Sequence, residues 1–334
     1  MKKYARKTIK VLKKTILLAG KSIKKLFDTW PKAFIAVVAC IILAYYPLGG
    51  KMSENIDKYS EYNFELASEK RSQAVEMIVK LINREVNENL WTPNLPFFFP
   101  AYCLDNMPNF QKGIIRGLKG LTAGLVKVVQ CGENKEDFDN LKNAAGLLAY
   151  PENVWLASPT NKLKMAPSSS SQYRKARKNL KKFNDALEEE KCFWVKDEKS
   201  LRKLNSVVMR GLRASERQIK NEIREGNNSW FDTSADNVFY LNQGRIYAYM
   251  EVLKKLGRDY KQVLMADGVY QDWTVMLRAL QDAVELNPDM VLNGRLDSEL
   301  VPNHLMSLTY YVTKAENVLL KINKQLDGEN KNAD

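Results

Sequence analysis

The sequence predicts an all-α protein in which one N-terminal transmembrane helix precedes a mostly helical extramembrane domain with two long irregular loops. Three observations support this fold class. Eighteen consecutive residues, 33–50, carry no charge. Apolar residues recur at helical spacing through most of the remaining chain, while no segment alternates apolar and polar residues with the period of a strand. Prolines cluster in two stretches, where they interrupt helix and sheet alike.

The first 32 residues hold most of the positive charge. The formal net charge is +13, and eleven lysines and arginines precede residue 33 against the single acid Asp28. The apolar residues at helical spacing among them are Ile9, Leu12, Ile16, Ile23 and Phe27. Residues 1–29 are predicted to form a cytoplasmic basic amphipathic segment, with residues 2–27 on the anionic inner leaflet of a lipid bilayer; a disordered basic tail is the alternative. Because the rest of the chain is nearly neutral, no nucleic acid partner is expected.

Residues 30–50 are predicted to form a transmembrane helix. Eighteen uncharged residues span about 27 Å as a helix, close to the roughly 30 Å of a hydrocarbon core. Trp30, Tyr45 and Tyr46 lie towards its ends, as aromatic residues do at membrane interfaces. The alternatives are a buried core helix, a cleaved signal sequence and a lipoprotein signal at Cys40. Because flanking basic residues favour the cytoplasm, we expect a single-pass protein with its N-terminus in the cytoplasm and its C-terminal domain across the membrane. In a Gram-negative bacterium these would be the inner membrane and the periplasm.

Beyond the span, helical periodicity predicts three further parts. Residues 51–91 contain no proline or glycine and are expected to continue the anchor as a helical stalk. Residues 92–326 are expected to form an α-helical periplasmic domain, interrupted by irregular loops at 92–108 and 151–167, and residues 327–334 a polar tail. Phe97, Phe98 and Phe99 in the first loop either plug the core or form an exposed wedge for a partner or for lipid, and we expect the core.

The histidine and cysteine residues of the sequence do not match the known patterns of catalytic or metal-binding sites. His304 is the only histidine, and no GxSxG motif supplies a serine for a triad. The cysteines, Cys40, Cys103, Cys131 and Cys192, form no CxxC pair, so neither a metal site nor a cofactor is expected. In an oxidising compartment two of the three cysteines beyond the span would pair, with Cys103–Cys131 one possibility and isolated thiols the alternative.

Four glycines recur within one predicted helix, in the stretch GIIRGLKGLTAG that contains Gly113, Gly117, Gly120 and Gly124. A phosphate-binding loop would need a GK[ST] ending and a preceding strand, and neither is present in the sequence. Small residues four positions apart instead allow two helices to approach closely, so we interpret these glycines as a packing surface.

Four stretches of the sequence resemble a known bacterial family. They are FFFPAYCLDNMPNFQKG near residue 100, SSSSQYRKAR at 168–177, FDTSADNVFYLNQGRIYAYM at 231–250 and LNGRLDSELVPNHL at 292–305. In this order they resemble the bacterial domain of unknown function family 2333. The resemblance implies a Gram-negative envelope protein with one N-terminal span and a helical outer domain, and it brings no activity with it. The segment PFFFPAYC departs from the family pattern, so the role of that loop is the least transferable.

The matching blocks supply a candidate polar cluster, for binding or for structure. Its residues are Asp105, Asn106, Asn109, Tyr173, Arg174, Asn242, Arg245, Tyr249, Asn293, Asp297, Asn303 and His304. Asn242, Arg245 and Tyr249 share one helix face, which either holds a sugar or peptide or closes a buried polar network, and we expect the network. Asn303 or Ser298 is expected to cap the last helix.

The predicted function is that of a non-enzymatic envelope scaffold or assembly factor whose periplasmic domain binds an envelope protein or glycan. No catalytic residue is predicted, because every catalytic template fails. The alternative is an envelope hydrolase of peptidoglycan or glycan that uses carboxylates such as Asp105, Asp236 or Asp297, brought by folding to about 5–10 Å from one another.

Overall fold

The structure, a computed structural model, describes residues 21, 24, 31–58, 62, 70–132, 135–155, 166–225, 233–294 and 302–328. Ten α-helices and two short strands lie within these residues, which confirms the all-α fold class. The chain divides into two compact units. Unit 1 comprises Met1–Ser53 and Phe97–Cys103, and unit 2 comprises Glu54–Pro96 and Leu104–Asp334. The predicted cytoplasmic segment lies outside the described residues apart from Lys21 and Lys24.

Unit 1 contains helix α1, Pro31–Ser53, and a 3₁₀ turn, Pro100–Cys103. Residues 32–53 have a mean hydropathy of 2.1 over their most apolar stretch, and only 6% of that stretch is buried. The helix is thus long and apolar enough to cross a membrane, although a signal sequence has the same properties. Its low burial argues against the buried core helix that was the first alternative.

The aromatic residues of the first loop do not plug a core. The side chains of Phe97 and Phe98 are 68% and 49% exposed, and that of Phe99 is half-buried. The expectation of a core position is therefore wrong. The physical reason is that the loop leaves unit 2 and packs against α1, so its rings have no interior to enter.

Unit 2 holds the remaining helices and a small sheet. Its helices are α2 Gln73–Asn83, α3 Asn106–Leu125, α4 Lys135–Leu148, α5 Ser169–Glu188, α6 Glu198–Glu225, α7 Thr233–Asp259, α8 Lys261–Ala266, α9 Tyr270–Glu285 and α10 His304–Leu326. A π-helix, Arg84–Glu88, follows α2 directly, and a 3₁₀ turn, Thr92–Asn94, comes next. Ser168 caps α5 and Asn303 caps α10, each accepting a hydrogen bond from a backbone amide of its first turn.

Helix α7 lies at the centre of unit 2, where it contacts α2, α3, α6, α9 and α10. Its closest neighbour is α3. A Cβ atom on Gly113 would overlap the carbonyl oxygen of Leu241, and one on Gly244 would overlap that of Phe110. The two helix backbones therefore touch at reciprocal glycines, which confirms that the glycines of α3 form a packing surface.

The continuous stalk helix predicted for residues 51–91 is wrong. Helix α1 ends at Ser53, and residues 54–58 are not helical. Within that segment Lys58 is buried, and its ammonium donates to the carbonyl of Leu286 at 3.1 Å. A new helix, α2, starts after Ser72, whose hydroxyl bonds to the Asp259 carboxylate at 2.7 Å. A carboxylate from a distant helix thus fixes this start, which local composition does not reveal.

A disulfide joins the two strands of unit 2. Strands β1, Val129–Cys131, and β2, Cys192–Trp194, are antiparallel and place Cys131 directly opposite Cys192. These two cysteines are bonded, whereas Cys40 and Cys103 are free and exposed. The suggested Cys103–Cys131 pair is therefore wrong. The strands are only three residues long, too short for a period-two pattern to reveal them.

Candidate functional site

The predicted polar cluster does not assemble at one place. Its described members fall into four groups: the start of α3, the start of α5, the centre of α7 and the start of α10. Asp297 lies outside the described residues.

Asn293, Asn303 and His304 meet at the start of α10. The Asn303 amide nitrogen donates to Asn293 Oδ1 at 3.0 Å, and its Oδ1 accepts from the amide of Met306 at 2.8 Å. His304 Nδ1 accepts from the amide of Leu292 at 3.0 Å, and burial lowers the pKa of this histidine. All three side chains are engaged in holding residues 292–294 against the helix start. The arrangement stabilises a connection rather than presenting an acid and a base.

Tyr173 and Arg174 fasten α5 to two different segments. Tyr173 is fully buried, and its hydroxyl donates to the Tyr150 carbonyl at 2.9 Å. Arg174 donates to the Val86 carbonyl at 2.5 Å and to Asn87 Oδ1 at 2.8 Å. These bonds satisfy a backbone oxygen of the π-helix and one just before the second irregular loop, so both residues hold α5 to a neighbouring segment.

Asn242, Arg245 and Tyr249 are buried between α7 and α6. Arg245 donates to the Ser215 hydroxyl at 3.0 Å, and burial lowers its pKa. Asn242 donates to the carbonyl of Val238 at 2.8 Å, and the ring of Tyr249 packs against Gly211. The bond from Arg245 to Ser215 joins the two helices as the expected buried network would, whereas Asn242 Oδ1 has no hydrogen-bond partner within the described residues.

A second buried network, which sequence reasoning missed, surrounds the π-helix. The Arg84 guanidinium lies 2.6 Å from Glu85 Oε1, and its Nη1 donates to the hydroxyls of Tyr247 at 2.7 Å and Tyr62 at 3.0 Å. Gln111 donates to the other Glu85 oxygen at 3.1 Å. Burial alone would lower the pKa of Arg84. The Glu85 carboxylate and the two phenol groups have the larger combined effect, so the pKa is raised. In the sequence, the one available signal for this network was the adjacent pair Arg84 and Glu85 at the end of an apolar helical run.

Asp105, Asn106 and Asn109 open α3 beside a carboxylate of α7. Asp105 caps the helix by accepting from the Asn106 amide at 2.9 Å, and Asn109 bonds to Asn237. Burial, together with the charge of Asp105, raises the pKa of Asp236 to about 6. Folding thus brings two of the three carboxylates named for a hydrolase near one another. Within the described residues, no group of three or more metal-ligating side chains is arranged to hold a metal ion.

A cationic pocket of about 400 Å³ lies between α3 and the segment that follows α4. Lys112, Arg116 and Lys119 line it from successive turns of α3, and residues 148–153 form the opposite wall. Arg116 makes a bidentate ion pair with Glu152, at 2.7 and 2.8 Å. Burial lowers the pKa of Lys112 despite the nearby Glu152 carboxylate.

The lining of this pocket suits an anionic ligand. It carries three basic side chains against one carboxylate, and burial already disfavours the charge of Lys112. A carboxylate or phosphate group entering the pocket would offset that cost and bond to fixed donors. The i, i+4, i+7 spacing of these basic residues was a sequence signal, but the residues of the facing wall are distant in sequence.

Comparison with known proteins finds a match for the C-terminal part of the chain. Neither a curated protein nor a solved structure matches it. A family model does match, over the segment that contains α6 to α10 and therefore two of the four polar groups. Residues 195–328 match the bacterial family described as "Uncharacterized protein conserved in bacteria (DUF2333)", which confirms the resemblance seen in the sequence over that segment.

Proposed function

We propose that this chain is a single-pass protein of the Gram-negative inner membrane whose helical unit 2 lies in the periplasm and serves as a non-enzymatic scaffold or assembly factor. One observation carries the proposal. Only 6% of the most apolar stretch of α1 is buried, so the side chains of a helix long enough to span a bilayer face outward. In water this exposure would be costly, whereas lipid solvates such a surface without penalty.

Two further features support the orientation. The disulfide between Cys131 and Cys192 is of the kind that persists in oxidising compartments such as the periplasm. The eleven basic residues that precede residue 33 favour a cytoplasmic N-terminus. Together they argue that α1 is retained as an anchor with unit 2 on the far side of the membrane.

The binding role follows from how unit 2 uses its polar residues. The buried guanidinium groups of Arg84 and Arg245 bond to neighbouring side chains, while the cationic pocket of Lys112, Arg116 and Lys119 keeps an opening to solvent. The partner is accordingly an envelope protein or glycan that presents a carboxylate or phosphate group to this pocket.

Site-specific photocrosslinking in intact cells tests this function. A photoreactive residue in place of Lys119, which is exposed at the pocket, is expected to capture one envelope component. The same residue in place of Lys324, exposed on α10, is the matched control and should capture none. Equal capture at the two positions, or none at Lys119, would contradict the proposal. Recovery of the full chain in the membrane fraction after an alkaline wash tests the anchor separately.

The second candidate function is hydrolysis of peptidoglycan or glycan. The observation that favours it is the pKa of Asp236, raised to about 6 by burial and by the nearby Asp105, because a general acid needs a raised pKa and glycoside hydrolysis needs a second carboxylate close to it. Purified full-length protein in detergent would then release soluble sugar from peptidoglycan. Asp236→Asn would abolish the release, and Asp289→Asn, at an exposed position, would not.

A further inference from the structure

The loop Phe97–Tyr102, called the aromatic loop below, exposes three large rings within unit 1. Phe97 is 68% exposed, Phe98 49% and Tyr102 55%. No charged residue occurs from Asn89 to Leu104, so the loop carries no charge on either side of these rings. An exposed, uncharged aromatic patch of this kind marks a surface that meets another apolar phase.

Helix α1 holds the aromatic loop in place. The Tyr45 hydroxyl donates to the carbonyl of Phe98 at 2.9 Å, and the Tyr46 hydroxyl donates to the carbonyl of Phe97, also at 2.9 Å. A Cβ atom on Gly49 would lie only 2.5 Å from the Cβ of Pro100, so the α1 backbone contacts the proline ring directly. The loop is therefore fixed against residues 45–49, the end of the apolar stretch where interfacial tyrosines are found.

Three backbone carbonyls of the aromatic loop accept hydrogen bonds within the protein and do not need water as a partner. Irregular backbone is tolerated at membrane depth only when its polar groups find partners in the protein. The carbonyls of Phe97 and Phe98 accept the two tyrosine hydroxyls, and the carbonyl of Phe99 accepts the amide of Tyr102 at 3.0 Å. Three consecutive carbonyls are thus satisfied, while the side chains attached to the first two face outward.

We propose that the aromatic loop inserts into the interfacial layer of the lipid bilayer beside α1, as a second membrane contact of this chain. The inference rests on the proposed placing of α1 in the membrane and adds to it a second, non-helical segment. Transfer of phenylalanine and tyrosine side chains from water to the boundary between headgroups and acyl chains is favourable. The loop carries no charge that would oppose this transfer. We propose lipid rather than a protein as the partner of the loop, because the loop packs against α1 and α1 is itself proposed to lie in lipid.

Depth-dependent fluorescence quenching tests the proposal on the full-length chain in vesicles of phosphatidylethanolamine and phosphatidylglycerol. In a Cys40→Ser, Cys103→Ser background, a polarity-sensitive dye is attached at Phe98→Cys. Matched chains carry the dye at Ile42→Cys in α1 and at Met290→Cys on the surface of unit 2. Lipids brominated either near the headgroup end or near the middle of their acyl chains quench from the membrane side, and iodide quenches from water.

The expected result is strong bromolipid quenching at positions 98 and 42, at least about threefold above position 290, with iodide quenching only position 290 strongly. If position 42 is quenched by bromolipid and position 98 by iodide, the loop proposal fails while the anchor stands. If neither is quenched by bromolipid, the anchor fails as well. Protection of position 98 from both quenchers would mean that protein covers the loop, which also overturns the proposal.

The two tyrosines give a second test. Tyr45→Phe together with Tyr46→Phe keeps both rings and removes both hydrogen bonds to the loop. We expect bromolipid quenching at position 98 to fall by at least half, while quenching at position 42 is unchanged. Unchanged quenching at both positions would overturn the role of the tyrosine hydroxyls in holding the loop at the membrane.

Discussion

The two units treat the same residue types in opposite ways. In unit 1, Leu43 is 73% exposed and Ile41 61%, whereas in unit 2 Leu81 and Ile78 are fully buried. Unit 2 excludes water from its own core and is stabilised by that burial. Among its described residues unit 1 has no core for these side chains, so they remain exposed. The contrast shows that the same residue types are buried or exposed according to the unit in which they lie.

Polar groups follow the same division. Unit 2 buries the Arg84–Glu85 ion pair among tyrosine hydroxyls and so keeps charge inside a packed domain. Unit 1 uses the neutral hydroxyls of Tyr45 and Tyr46 to satisfy backbone carbonyls. A substitution in one unit should therefore leave the properties of the other unit unchanged.

Removing the buried guanidinium should have the largest effect. Arg84→Ala leaves Glu85 buried without its partner, and we expect it to lower the free energy of unfolding of unit 2 by about 4 kcal/mol. Urea unfolding of the full chain in detergent micelles measures this. Lys70→Ala, at the exposed Lys70–Glu190 pair, is the control and should change the value by less than about 1 kcal/mol. Retention of α1 by membranes should be unaffected, and its loss would contradict the independence of the units.

Removing the disulfide should come next. Cys131→Ser with Cys192→Ser frees segments 61 residues apart in the chain, and we expect a loss of about 3 kcal/mol for the oxidised protein. The same unfolding measurement, with and without reductant, detects it. Cys103→Ser serves as the control, because that thiol is free and exposed. An equal loss in both variants would show that the pairing is different from the one described.

Separating α3 from α7 should have a smaller effect. The added methyl of Gly113→Ala would push against the Leu241 carbonyl, and we expect a loss of about 2 kcal/mol. Gly146→Ala is the matched change, since nothing in the described residues lies within 4 Å of its new methyl. It should stabilise α4 by about 0.5 kcal/mol, because alanine is the better helix former. Thermal unfolding of both variants distinguishes these opposite signs.

Neutralising Asp236 should have the smallest effect and a distinctive pH dependence. Its folded pKa, about 6, lies above the ordinary 3.8, so the ionised form is disfavoured in the folded state and stability is lost as pH rises between these values. Since the group is half-buried, we expect Asp236→Asn to stabilise unit 2 by only about 1 kcal/mol at pH 7. The gain should vanish below about pH 4. A gain that is independent of pH would exclude this carboxyl as its source.

Local sequence signals predicted the parts of the fold that local physics decides. The uncharged run predicted α1, Asn303 was one of two residues expected to cap the last helix, and the glycine spacing predicted that α3 packs closely against another helix. The start of α2 after Ser72 was missed because the Asp259 carboxylate that fixes it lies far away in sequence. The exposure of Phe97 and Phe98 depends on which unit the loop joins, which hydrophobicity alone does not decide.

The candidate site was less predictable than the fold. Sequence reasoning placed Asn242, Arg245 and Tyr249 on one helix face, but their partners Ser215 and Gly211 come from another helix. The cationic pocket likewise depends on Glu152, 36 residues from Arg116, for its ion pair. Contacts between distant segments carry most of the chemistry of unit 2, and a single sequence does not specify them.

The bond between Cys131 and Cys192 makes the intervening 132–191 segment part of a covalent ring that contains α4 and α5. A protease that cuts once inside this ring opens it without separating the chain, because the sulfur bridge still joins the residues before the cut to those after it. A nicked molecule would run as one species until a thiol reductant is added. In a compartment that contains proteases and lacks such reductants, the protein would keep α1 and the helices after Cys192 on one molecule after the first cleavage.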